Sequence, residues 1–157
     1  MNYAALIQNR KSHREFTDHQ VSFAQVEAIR DYYRNSVRRL IPEIKTELYA
    51  FGPGTGAALE GAAGYNQFLV GAPQYLVLLS EGHPQAGLNA GFMMEDLILK
   101  LTELELDSCW VTFTDSEAVK SALDIRSELD VVAIVAFGYG KKTVKRLRLN
   151  IRSMSNV

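Results

Sequence analysis

The chain has one cysteine, Cys109, so no disulfide can close within it and packing must supply its stability. A lone thiol fits a reducing compartment. There is no excess of charge of either sign: 17 basic residues stand against 18 acidic ones, a formal net charge of −1. That balance excludes the strongly basic footprint of a dedicated nucleic-acid binder. Long apolar runs are missing as well. The longest toward the C-terminus spans residues 131–137, far short of the roughly 20 residues that cross a bilayer. The opening MNYAALIQNR is too short and too polar for a secretory signal. His13, His19 and His83 lack partners at metal-ligand spacing, so no metal site is expected, and no Ser-His-Asp arrangement is evident. These absences leave a single cytoplasmic domain over residues 1–157, long enough at 47% hydrophobic content to bury a core.

Periodicity supplies the elements. A short helix is expected over 2–9. Ser22 followed by Gln25 forms a capping-box pattern, and Val26, Ile29, Tyr33 and Val37 recur at helical spacing to about residue 38, before Pro42. Ile44, Thr46, Leu48 and Ala50 alternate with polar neighbours as in a half-wet strand. Residues 51–73 hold six glycines and two prolines and read as a long loop with one or two short helices. The run Gly52, Gly54, Gly56 lacks a strand-to-helix setting with a following acidic residue and is no dinucleotide fingerprint. QYLVLLS (74–80) reads as a strand buried on both faces, and 84–106 as a helix apolar around most of its girth. A second copy of the chain covers such a helix most simply, so a homodimer is expected. CWVTF (109–113) reads as a third strand, 115–123 as a helix with Asp115 as N-cap, and 130–137 as a central strand. Cys109 and Trp110 are assigned to the core. The sum is a three-layer α/β/α domain of the α/β or α+β class with a long buried central helix.

Charge is concentrated at the two ends. RKSHREF (10–16) packs Arg10, Lys11, Ser12, His13 and Arg14 into five positions. From Gly138 onward the chain carries Lys141, Lys142, Lys145, Arg146, Arg148 and Arg152 and no acidic residue. Two such clusters can meet on one phosphate, because guanidinium forks match phosphate oxygens and charge-assisted bonds outweigh neutral ones.

These segments, in this order, resemble the FMN-dependent nitroreductase-like flavoproteins. RKSHREF is similar to the N-terminal signature of that family, LTELELDSCWV to the end of its long central helix running into a Cys-Trp-aliphatic strand, and VVAIVAFGYGKK to its last core strand. The segments LIPEIKTELYAF and GAPQYLVLLSE resemble one subgroup in particular. The resemblance covers nearly the whole chain. It implies a nitroreductase-like α+β fold with a central mixed sheet, a homodimer with FMN at the subunit interface, and no side-chain catalyst.

It also implies roles for residues. Arg10, Ser12 and Arg14, with Lys11 alongside, would hold the FMN phosphate. Arg146 and Arg148 would touch the phosphate or ribityl chain, Asn66 the ring or ribityl chain, and Thr112 and Phe113 would lie near flavin N5. The implied activity is ping-pong hydride transfer from NAD(P)H through flavin N5 to an electron-poor acceptor such as a nitroaromatic or quinone, the hard chemistry being the cofactor's. Two stretches depart from the family's pattern. Val111-Thr112-Phe113 stands where many relatives have Gly-Gly after the aliphatic residue, and Gly64-Tyr65-Asn66-Gln67-Phe68 stands in place of a stretch ending Asn-any-Gln-Pro. The first departure supports an alternative, an FMN-binding store or sensor with little turnover.

Overall fold

The computed structural model describes residues 1–66 and 68–141. Helix α1 (Tyr3–Asn9) starts where the Asn2 side chain accepts the Ala5 N–H. Helix α2 (Phe23–Asn35) starts on the expected capping box: Ser22 Oγ accepts the Gln25 N–H at 3.1 Å, and Gln25 Oε1 accepts the Ser22 N–H at 2.9 Å. It stops three residues before periodicity predicts. A buried carboxylate is the reason: Asp96 accepts the Arg38 N–H at 2.9 Å and draws the chain out of the helix. Asn89, also buried, accepts the Ile41 N–H at 2.8 Å.

Strand β1 (Thr46–Phe51) is followed by a five-residue helix, α3 (Thr55–Leu59), inside the glycine-rich stretch. Of the three spaced glycines, Gly52 and Gly54 thus do sit between a strand and a helix, and Gly56 lies in the helix. Yet β1 runs antiparallel to its neighbour, so no parallel crossover of the dinucleotide-binding kind is formed. Then come β2 (Gln74–Ser80), the long helix α4 (Ala86–Glu103), β3 (Asp107–Val111), α5 (Ser116–Ala122, capped by Asp115) and β4 (Asp130–Gly138). Strand β3 begins two residues earlier than expected because Asp107 and Ser108 pair with Gly138 and Phe137.

The sheet order is β1-β2-β4-β3, so the two most apolar strands, β2 and β4, are central. All three ladders are antiparallel. Among the described residues the expected mixed character of the sheet is limited to one parallel bridge onto it, between Ser12 and Ser108 at the β3 edge. Alternation along β2 sends Leu76 and Leu78 to one face and Tyr75, Val77 and Leu79 to the other. The first face packs against Ile29 of α2 and Met93, Met94, Leu97, Ile98 and Leu101 of α4. The second packs against Leu59, Val119, Ile125 and Phe16. These are the three layers.

Helix α4 is buried along most of its surface, but Leu88 is 63% and Phe92 43% exposed. They share a side of α4 with Glu95 and Leu99, at spacings of four and three. Tyr3, Phe92 and Leu99 line a small apolar groove of about 180 Å³ there, next to α1, whose Ile7 is exposed as well. No helix among the described residues is long and apolar enough to cross a membrane.

Candidate functional site

The basic segment after α1 is laced between the beginning of β3 and the exit of β4. His13 N–H donates to the Ser108 carbonyl at 3.0 Å, Thr17 N–H to Tyr139 at 2.7 Å, and Lys141 N–H to Glu15 at 3.0 Å. Asp107 Oδ2 accepts the Gly140 N–H at 2.8 Å and Oδ1 lies 3.5 Å from His13 Nδ1. The crossing is tight. A Cβ on Gly140 would come within 2.5 Å of the His13 ring, so only glycine fits. The N-terminal cluster and the first basic residue of the tail are therefore neighbours. Arg146 and Arg148 lie outside the described residues.

Among the described residues, strand β3 is an edge strand whose outer side is covered at two places. Ser12 and His13 lie along its start, and Gly64 N–H donates to the Thr112 carbonyl at 2.7 Å beyond its end. Between the two covers is a pocket of about 460 Å³, within the range typical of ligand clefts. Arg14 lines one part of it, Cys109, Trp110, Val111 and Thr112 another, and residues of the 64–70 loop the rest. Antiparallel pairing alternates its bonding direction every residue. With the Ser108 and Thr112 carbonyls facing outward, the Trp110 N–H and C=O face outward too, into the pocket.

The expected site residues divide. Arg14, Asn66 and Thr112 come together on the pocket. Arg14 is exposed and makes no ion pair among the described residues. Lys11 is exposed and Ser12 half-buried on the same segment, outside the lining. Arg10 turns the other way, toward α4, where its Nε lies 3.7 Å from Glu95 and is buried without a hydrogen-bond partner among the described residues. Phe113 bridges to Ala63 and packs against the second core face, outside the lining.

Trp110 corrects the expectation of a core residue. It is 38% exposed, because Cys109 and Val111 take the buried positions and alternation sends Trp110 to the opposite face of an edge strand. Tyr65 and Phe68 were not singled out from the sequence, yet both line the pocket with their rings largely exposed. Two aromatics flanking a short polar turn was the available signal.

A second polar cluster lies behind Arg10. Asp96 is buried on α4 and accepts hydrogen bonds from Tyr3 Oη at 3.1 Å, Tyr32 Oη at 3.0 Å and the Arg38 N–H. Burial, then the hydrogen bonds to Tyr3 and Asp96, push the Tyr32 hydroxyl well above the usual tyrosine range, so it stays a donor. The Arg38 guanidinium lies 4.3 Å above the Tyr3 ring. The Asp96 carboxylate is thus occupied by hydrogen bonds that tie α1, α2 and α4 together, although Tyr3, Arg38, Glu95 and Asp96 also line the small groove beside α4.

Residues 2–157 match the model of the family described as "Putative TM nitroreductase". No curated protein matches the chain. Among solved structures, the chain is similar to a nitroreductase family protein from Clostridium novyi NT, with 18% identity over 91% of this chain and 87% of that one and a TM-score of 0.77. An FMN-dependent nitroreductase from Clostridium difficile R20291 aligns at 18% identity over 88% of each chain, with a TM-score of 0.75. A nitroreductase with bound FMN from Bacteroides fragilis NCTC 9343 aligns at 19% identity over 92% and 91%, with a TM-score of 0.71.

Proposed function

The chain belongs to the nitroreductase family that its residues 2–157 match, and from that premise we propose that it is an FMN-dependent oxidoreductase. It takes electrons from NAD(P)H and passes them to an electron-poor acceptor such as a nitroaromatic or a quinone. The observation that supports this reading is the meeting, in one pocket of about 460 Å³, of the Arg14 guanidinium, which has no ion pair among the described residues, with a stretch of the β3 edge that no described residue covers. A phosphate needs the first, a flat ring with carbonyl and N–H edges needs the second, and the residues present fit both.

Bound there, FMN supplies the two-electron chemistry. The chain's own residues bind and orient. Arg14, with Ser12 and Lys11 from the same segment, holds the phosphate. Asn66 and Thr112 offer polar atoms, and the outward backbone of Trp110 offers a donor and an acceptor along the ring's edge. Arg146 and Arg148 complete the phosphate or ribityl contacts, and Arg10 contributes only by giving up Glu95. No side chain needs to move a proton. The store-or-sensor alternative draws on the Val111-Thr112-Phe113 departure, of which Phe113 packs against the second core face while Val111 and Thr112 line the pocket; FMN uptake without bleaching by NADPH would favour it.

The pocket carries its own reporter. Trp110 is the sole tryptophan of the chain. Titrating FMN into protein stripped of flavin quenches its emission with a Kd on the order of 1 μM or tighter, and NADPH bleaches the yellow complex under anaerobic conditions. Protein that leaves both the Trp110 emission and the FMN spectrum unchanged overturns the reading.

The single domain acts as a homodimer through the exposed side of α4. Leu88, Phe92 and Ile7 leave apolar surface that a second copy would bury. Sedimentation at micromolar concentration shows a dimer for the native chain and a monomer for Phe92→Asp. A native monomer would refute the assembly.

A further inference from the structure

Tyr65 and Phe68 are 72% and 63% exposed, though both line the pocket. Exposed rings on a loop normally wander. These two are held by backbone instead: Tyr65 N–H donates to the Phe68 carbonyl and Phe68 N–H to the Tyr65 carbonyl, each at 2.9 Å. Directly opposed residues of such a pair project to the same side. The turn is anchored in turn to β3 through Gly64 N–H and the Thr112 carbonyl. Gly64 has φ 104°, and a Cβ there would come within 2.4 Å of the Phe68 carbonyl oxygen, so the geometry requires glycine. Asn66, at φ 49°, takes a left-handed conformation that asparagine tolerates. The turn's backbone is thus held in one shape, and both aromatic side chains line the same pocket as Trp110, so little backbone entropy is left for a ligand to remove.

We infer that Tyr65 and Phe68 form a stacking platform that positions the second substrate, a planar electron-poor ring, at the mouth of the pocket. This rests on the reading of the pocket as a flavin site. The electron-rich faces of tyrosine and phenylalanine favour offset stacking with such a ring. An acceptor without a ring gains nothing from them. The pair therefore sets which acceptors the protein prefers.

The test compares the native FMN-loaded protein with Phe68→Ala, the Tyr65→Ala/Phe68→Ala double variant and Phe68→Tyr, using 1,4-naphthoquinone and the ring-free acceptor ferricyanide. Calorimetry without reductant measures the Kd of 4-nitrobenzoate, a readout independent of turnover. Each ring removed should raise the Kd of 4-nitrobenzoate and the KM for naphthoquinone roughly tenfold relative to the KM for ferricyanide, and Phe68→Tyr should restore the native values. Equal change for ring-bearing and ring-free acceptors, or no change, overturns the platform while leaving flavin binding intact. Loss of FMN from the double variant also overturns it, by assigning the rings to the cofactor's own seat. A native protein that takes up no FMN fails earlier, on the reading of the pocket itself.

Discussion

Replacing Arg14 with glutamate weakens FMN binding by roughly two orders of magnitude. A hydrogen bond to a charged group contributes about 1.5–3 kcal/mol, and the upper end corresponds to a factor of about 100 in Kd. The new carboxylate adds repulsion toward the phosphate. Arg14→Lys loses less, because it keeps the charge and gives up only the bidentate fork. Since Arg14 is exposed and without an ion pair among the described residues, both variants keep the native melting temperature, and the loss can be assigned to the site. Trp110 quenching reads the Kd directly. Raising the ionic strength should weaken the native complex and affect the glutamate variant much less. Native-like binding by Arg14→Glu would place the phosphate elsewhere. Arg10→Ala is the informative control. Its guanidinium faces Glu95 rather than the pocket, so its effect on Kd should be the smaller of the two.

Asp96→Ala gives the largest loss of stability. The carboxylate accepts from Tyr3, Tyr32 and the Arg38 N–H while itself buried. Its removal strands these donors in the interface between α1, α2 and α4. Leaving these half-buried hydroxyls without their acceptor costs about 2 kcal/mol, which for a chain of this size lowers the melting temperature by roughly 5 °C. Thermal unfolding followed by circular dichroism measures it. A shift within experimental error would show that Asp96 is dispensable to this packing. Tyr32 of this cluster, together with Tyr49 and Tyr75 elsewhere, makes stability fall in alkali. Tyr32, Tyr49 and Tyr75 all have hydroxyls raised above the ordinary value of 10.0, chiefly by burial. The unfolded chain then ionises first as pH rises, so their contribution is complete below about pH 10 and is lost above it.

The platform proposed at Tyr65 and Phe68 and the phosphate role of Arg14 predict separable failures. One changes acceptor preference with FMN retained; the other changes FMN affinity itself. That separation follows from where the residues sit, the rings on the 64–68 turn and the cation on the segment beside β3.

Most of the layer structure was legible in the chain. The capping box at Ser22, the N-cap at Asp115, the alternation of β1 and the continuous apolar runs of β2 and β4 are local signals. Each reports what surrounds a segment within one turn or one strand width. They named the elements, put β2 and β4 at the centre, and made α4 long and largely buried. The clustering of Arg10 to Arg14 at one end and of lysines and arginines at the other was equally plain.

Which of those cations faces the pocket was decided only by the folded chain. Among the described residues the strand order puts β3 at the sheet's edge, and the covers provided by Ser12–His13 and by Gly64 bound the stretch that lines the pocket. Those contacts join residues about 50 to 100 positions apart, and no local periodicity encodes a pairing over such distances. For the same reason α2 ends early at the demand of Asp96, Arg10 goes to Glu95, and Trp110 stands half in solvent. Local pattern tells a residue that it will be covered. Which neighbour covers it, and which backbone edge is left bare for a ligand, depends on how distant segments meet.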